Sequence, residues 1–335
     1  MALPYRSDRR HLILGAAGLA LGAGPLAACG GGGGGASAQP KELRLDYAYY
    51  SPPSLVLKHF GWAEEAFKPD NIPIKWVFSA GSNRALEYLN GGSVDFASTA
   101  GLAAVLSRAN GNPVKAVYVY SRPEWTALVV PKGSSIQSVK DLKGKKVAAT
   151  KGTDAYLFLL RSLQLEGLSK ADIEHVSLQH ADGRAAMDQG RVDAWAGLDP
   201  MMASSELEGG ARLLYRNVDF NTYGFLDTSD GFLARYPENV KRVIALYERA
   251  RKWIIANPGE AAALLSQEAK ISLPVAKLQL SRNDFSAPVP GEAQIKALKE
   301  AAPILTAEAL VKPGVQIDQV VDALIAPDIA KTVVG

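Results

Sequence analysis

Four short stretches place small hydroxyl, amide and glycine residues where an apolar run hands over to an amphipathic one. FSAGSNR follows a run ending at Phe78, ASTAG one ending at Ala97, TKGTD one ending at Thr150, and GLDP one that contains Trp195. In open α/β sheets the ligand crevice lies beyond the carboxyl ends of the strands, where helix N-termini present free N–H groups and a partial positive charge. Ser82, Asn83, Ser98, Thr99 and Thr153 supply donors that suit a singly charged anion without a full positive partner. Each of these residues is also an ordinary helix cap. Their recurrence at several strand ends is what favours binding. Tyr50 and Ser51 join the set because they end the first strand just before PPS opens the first helix. Aromatic walls could come from Tyr49, Tyr50, Trp125, Trp195 and Tyr223; Trp195, inside a strand, fits a core position better.

Asp154 and Asp199 complicate an anion site. Two unit charges about 4 Å apart repel by about 4 kcal/mol at an effective dielectric of 20, so a bare carboxylate should not face an anion. Either the two are caps or ion-pair partners of Arg161, Arg184 or Arg191, or they accept a cationic group, which would favour an amine-bearing ligand. Catalysis lacks its components. Of the four histidines, His11 is in the leader and His59 carries no HExxH pattern, while His175 and His180 are spaced too loosely for a zinc pair. No GxSxG elbow occurs, and no catalytic residue, metal or cofactor is expected.

The elements that would carry these junctions alternate. Strands are expected at residues 43–48, 74–78, 94–97, 114–120, 126–130, 146–150, 175–178, 194–198 and 212–215, with helices between, among them 54–67, 84–90, 102–110, 155–166, 183–189 and 200–206. That order implies β-α-β units and mostly parallel sheets. From Pro237 the pattern is nearly pure helix, with Val240, Val243, Ile244, Tyr247, Ala250 and Ile254 at core spacing. Pro, Gly and Ser clusters suggest one lobe from residues 42–125 and 224–335 and a second from 126–223, joined by two crossings that form a hinge. At 335 residues and 47% hydrophobic the chain can bury such a core. Arg6, Arg9 and Arg10 account for most of the +3 charge, so the remainder is almost neutral, and no basic stripe calls for nucleic acid.

The N-terminus reads as an export signal over residues 1–28. DRRHLIL resembles a twin-arginine motif, although a general export signal also fits. Leu26-Ala27-Ala28-Cys29 resembles a bacterial lipobox, which implies lipidation of Cys29, the single cysteine. Residues 29–41 then form a linker in which Gly30 to Gly35 tether an anchored domain. Gly30, Gly32 and Gly35 match GxGxxG in form alone, because no strand precedes them and no helix follows.

From Leu43 to about Ala269 the chain resembles the periplasmic substrate-binding proteins of ABC importers, in the sulfonate, nitrate and taurine branch and most of all the aliphatic sulfonate-binding proteins. The matching phrases are AGSNRALEYLNGGSVDFAST, LVVPKGSSIQSVKDLKGKKVAATKGT, LRSLQLEGLS, ADGRAAMDQGRVDAWAGLDP and NPGEAAALLSQE, in the same order. The resemblance implies an α/β, type II periplasmic-binding-protein fold: two lobes with a hinge and C-terminal helices, closing over one ligand. It further implies a periplasmic receptor, expected as a monomer, that delivers a small organic anion to an ABC permease and does no catalysis, and the lipid anchor that the lipobox implies agrees with that job. Pyrimidine-forming enzymes of this fold and structural lipoproteins are the alternative classes. The chain departs from the pattern at Leu198-Asp199-Pro200, where W-D-P is usual, at Thr99 to Ala104, where T-G-D-x-P-P is frequent, and in GFLDTSDGFLARYP. These departures bear on ligand identity, leaving taurine, nitrate, a sulfate ester, an aromatic acid or an amine-bearing ligand as alternatives.

Overall fold

The computed structural model describes residues 39–334. The leader, Cys29 and most of the glycine linker therefore lie outside the described residues. Eleven strands follow one another along this span: β1 (Leu43–Tyr47), β2 (Ile74–Phe78), β3 (Phe96–Ala100), β4 (Val114–Pro123), β5 (Leu128–Val130), β6 (Lys146–Ala149), β7 (Glu174–Ser177), β8 (Ala194–Ala196), β9 (Arg212–Tyr215), β10 (Gly224–Ser229) and β11 (Asn283–Asp284). They form two sheets, one ordered β11-β4-β10-β3-β1-β2 and the other β7-β6-β8-β5-β9. Helices pack on both, and among the described residues none is long and apolar enough to cross a membrane.

The sheets are mixed, not mostly parallel as the alternation suggests. β1 pairs parallel with β2 and β3, and β6 pairs parallel with β7 and β8, as right-handed β-α-β units require. The chain enters the second sheet through β5 and re-enters the first through β10, each running the other way. β10 lies antiparallel between β3 and β4, and β5 lies antiparallel between β8 and β9. A chain that crosses between two lobes and back must reverse its direction somewhere, and these two strands are where it does so. β10 escapes a hydrophobicity pattern because it buries polar residues: Thr228 Oγ1 donates to Asp95 O at 2.8 Å, and Thr99 Oγ1 donates to Asp227. Partners from distant strands make that burial tolerable.

Local boundaries have local causes. The helix expected over residues 54–67 is two helices, Pro52–Phe60 and Trp62–Phe67, because Gly61 between them takes a left-handed φ of 65°. Trp195 is fully buried in the second sheet's own core with Met187 and Met202. Gly183 makes room for it: a Cβ there would stand 2.9 Å from the indole.

Candidate functional site

Two helix N-termini from different sheets face each other. Helix Ser82–Asn90 follows β2 and starts after Gly81, while helix His180–Asp188 follows β7 and starts after Gln179. The approach is close enough that a Cβ on Gly81 would lie 3.0 Å from both His180 Nε2 and Asn83 Oδ1. A second contact runs in parallel, where a Cβ on Gly152 would sit 3.4 Å from the Asn83 Cβ. The halves therefore stand closed on one another around a cavity of about 300 Å³. Tyr49, Tyr50, Phe78, Ser79 and Ala80 line it from one side, and Gln179 to Ala181 with Leu198 to Met201 line it from the other. Ala269 and Ile271 form a third wall from the C-terminal helices.

The polar groups around this space are in want of partners. His180 is 1% exposed, yet neither ring nitrogen makes a hydrogen bond, and the same holds for Gln179 Oε1 and Asn83 Oδ1. Burial lowers the His180 pKa to about 3, so the imidazole is neutral and offers one N–H. Ser79 Oγ faces Asp46 but makes no hydrogen bond of normal geometry. No lysine or arginine is among the lining residues. First-turn N–H groups at both helix starts add donors and the positive ends of two dipoles. Such a site can hold a single delocalised negative charge by hydrogen bonds alone.

The other strand-end residues lie behind or beside this cavity. Ser98 donates its N–H to Asp46 Oδ1 at 2.8 Å, and its Oγ stands 2.9 Å from that oxygen and 3.1 Å from Ser51 Oγ. Tyr50 lines the cavity with its ring but donates its hydroxyl to Ser98 O at 3.0 Å, and it meets Trp125 edge-on at 5.7 Å. Ser82 Oγ accepts from Ala100 N at 2.9 Å, and Thr153 donates to Thr150 O at 2.6 Å. Thr99 is tied to Asp227. Burial raises the Asp46 carboxyl to about 6 and the Asp227 carboxyl to about 8.

Asp154 belongs to the crossings between the sheets. Its carboxylate accepts from Trp125 Nε1 at 3.1 Å on the outward crossing, and from Thr222 N and Oγ1, both at 2.9 Å, on the return. Asn221 reinforces the pair, accepting from Thr126 N at 2.8 Å and donating to Thr126 O at 3.2 Å. Burial raises the Asp154 pKa against these bonds. Tyr223 is on the same return crossing, stacked on Phe225 with the Arg122 guanidinium over its ring, and is not among the cavity-lining residues. Asp199 does line the cavity, but its carboxylate is occupied: both oxygens accept from Arg282, at 3.0 and 3.1 Å, and Oδ1 accepts from Ala203 N at 2.9 Å. Arg282 also binds Glu206. Burial lifts the Asp199 carboxyl to about 6 even so. Arg282 is none of the three arginines that the sequence offers nearby, since it arrives from the far C-terminal region.

Sequence reasoning missed Ser79, Gln179, His180 and the C-terminal wall. A signal did exist at QHADG, a polar junction after β7 of the same kind as the other four.

A two-lobed, hinged α/β receptor is the class of protein these features define. Its fold is the type II periplasmic-binding-protein fold with C-terminal helices. Residues 61–261 match the family described as NMT1/THI5 like. A protein of Escherichia coli (strain K12), provisionally named an aliphatic sulfonates-binding protein, is 31% identical over 267 residues, covering 79% of this chain and 83% of that one. The alkanesulfonate-binding protein SsuA of Xanthomonas axonopodis pv. citri, solved bound to MOPS, superposes with a TM-score of 0.78 at 28% identity, covering 86% of this chain and 99% of that one. The periplasmic aliphatic sulphonate binding protein SsuA of Escherichia coli superposes with a TM-score of 0.72 at 30% identity, covering 84% and 92%. The chain belongs to the NMT1/THI5-like family and, within it, groups with these binding proteins and not with enzymes.

Proposed function

We propose that the protein is the extracytoplasmic solute receptor of an ABC importer and that its ligand is a small organic monoanion, an aliphatic sulfonate above all. One observation carries this reading: two opposed helix N-termini and the unpartnered imidazole N–H of His180 converge on a cavity with no lysine or arginine among its lining residues. A sulfonate spreads one charge over three oxygens and can accept from donors on both lobes at once. Because only a ligand with differential affinity shifts an open-to-closed equilibrium, contacts to both lobes are what would drive closure. The solved relatives named as sulfonate binders support the same reading. The amine-bearing alternative has less support, since Asp199 is bound by Arg282 and Asp154 by the crossings.

In this reading Gly81, Asn83, Ser79, Gln179 and His180 hold the anion, and Tyr50 supports the wall. Ser51, Ser82, Ser98, Thr99 and Thr153 shape the lobes from behind, while Trp125, Asp154 and Tyr223 serve the hinge. The lobes divide at 125/126 and 223/224. The protein acts as a monomer in the periplasm, exported by residues 1–28, held to a membrane through lipidated Cys29 and read by a permease in its closed form. Isothermal titration of residues 36–335 with alkanesulfonates, nitrate and sulfate tests the ligand class. Saturable binding of sulfonates with weak or absent binding of nitrate and sulfate is expected; binding of sulfate in preference would overturn the monoanion reading.

A further inference from the structure

Behind one wall of the cavity lies a carboxyl group that a bound anion must contend with. Asp46, on β1, is fully buried and pairs in register with Val77 on β2. Ser79 follows two residues later and continues the ladder, its N–H donating to Tyr47 O at 2.9 Å. Because side chains alternate along a strand, Asp46 and Ser79 fall on the same face of the sheet. Ser79 lines the cavity, and so does Tyr50, whose hydroxyl donates to the carbonyl of Ser98. The N–H of Ser98 in turn donates to Asp46 Oδ1 at 2.8 Å. Two residues are thus shared between the cavity wall and the surroundings of Asp46.

Nothing offsets a charge on this group. Asp46 Oδ2 makes no hydrogen bond. The polar groups that face the carboxyl are Ser79 after β2, Ser98 on β3, Tyr50 after β1, Tyr120 on β4, Asp227 on β10 and Tyr247 on helix Pro237–Ala256. No lysine, arginine or histidine is among them. Burial holds the three tyrosines neutral and pushes Asp227 to about 8 and Asp46 to about 6. Across the cavity, His180 is neutral throughout this range, and Asp199 is paired with Arg282.

We infer that the anion is taken up together with a proton on Asp46, so that the receptor holds its ligand most tightly in acid and more loosely as pH rises. This rests on the reading of the cavity as a monoanion site and adds a linked proton to it. An ionised carboxylate one layer behind the anion repels it through a poorly polarisable interior with no cation between them. Protonation removes that repulsion and supplies an O–H that can donate toward Ser79. The coupling is reciprocal: each tenfold of affinity that ionised Asp46 removes is one unit by which the bound anion raises the Asp46 pKa. Affinity is then highest below pH 6, falls as pH rises through 6, and levels off once Asp46 is ionised in the complex as well.

The test is calorimetric titration of butanesulfonate, which carries one charge at every pH used, into the wild-type protein and into Asp46→Asn at about pH 5.5, 7 and 8.5. At the middle pH the titration is repeated in phosphate and in Tris, whose different heats of ionisation report protons taken up. The expected result is a wild-type affinity that falls about tenfold from the lowest pH to the highest, with about half a proton taken up at neutral pH. In Asp46→Asn, which keeps the size of the side chain and removes its titration, affinity should vary by less than about twofold with no proton uptake. A flat wild-type profile without proton uptake would overturn the linked proton and leave the monoanion reading standing. A slope that persists in Asp46→Asn would place the proton on another group and overturn it equally. Failure of butanesulfonate to bind at any pH would overturn both readings. Asp46→Ser, which retains an acceptor for the Ser98 N–H, repeats the measurement should Asp46→Asn fail to fold.

Discussion

His180 shows how one side chain can be costly for the fold and useful for binding. A buried imidazole without a hydrogen bond forfeits the solvation of its ring nitrogens, a loss of about 1–3 kcal/mol that only a bound acceptor would restore. His180→Leu should therefore weaken sulfonate binding about 10- to 100-fold, as expected for losing a hydrogen bond to a charged group, while the ligand-free protein melts at the same temperature or higher. Titration calorimetry with differential scanning calorimetry would separate the two effects. Gly81 acts by what it lacks. Its extended backbone suits any residue, but a larger side chain would occupy the space between Asn83 and His180. Gly81→Leu is expected to lower sulfonate affinity at least tenfold with an unchanged far-ultraviolet circular dichroism spectrum, and undiminished affinity would place the anion elsewhere.

The elements that matter most are the two crossings and the C-terminal strap. Asp154 accepts three hydrogen bonds from the outward and return crossings, so Asp154→Ala leaves buried donors on Trp125 and Thr222 unpaired at a cost of about 2–4 kcal/mol. Urea denaturation would measure it. Arg282 ties the segment after helix Leu273–Ser281 to Asp199 and Glu206 beside the second sheet. Arg282→Met would strand the Asp199 carboxylate, a loss of about 3–5 kcal/mol where that group is ionised. Since Asp199 already titrates near 6, the same variant should lose less at pH 5 than at pH 8, and Asp199→Asn added to it should recover much of the stability. Equal losses at both pH values would mean that Arg282 acts through packing and not through charge.

Across the whole molecule, buried carboxyls set the pH dependence. Asp46 and Asp199 titrate near 6 and Asp227 near 8, all above the ordinary value of 3.8, so between these limits the folded state binds more protons than the unfolded chain. Their contribution to stability is complete below about pH 4 and is lost as pH rises through 6 and then 8. His180, lowered to about 3 from 6.5, works in the opposite sense: its contribution is present above 6.5 and is lost as pH falls toward 3. The protein should melt at a higher temperature at pH 5.5 than at pH 8. Asp227→Asn should flatten that slope more than Asp46→Asn does, as thermal unfolding across the range would reveal.

Much of this architecture was legible in the chain. β2 and β9 fall at the expected residues, because a β-branched or aromatic run between turn residues carries its own boundaries. The FSAGSNR and GLDP junctions do line the cavity, because a strand end and a helix start are local facts. β10 was hidden, since Asp227 and Thr228 are buried only by virtue of Thr99 on β3 and Asp95 just before it. The same holds for the carboxylates: Asp154 and Asp199 look alike in sequence, yet one clamps the crossings and the other answers an arginine 83 residues away. The sequence by itself determined the alternating elements, the two-lobed class and the donors available at strand ends, because hydrophobic period, capping and turn chemistry act over a few residues. Only the tertiary structure decided which donors remain free, which acids are already paired and which walls are apolar, because hydrogen bonds and burial are completed by partners far along the chain.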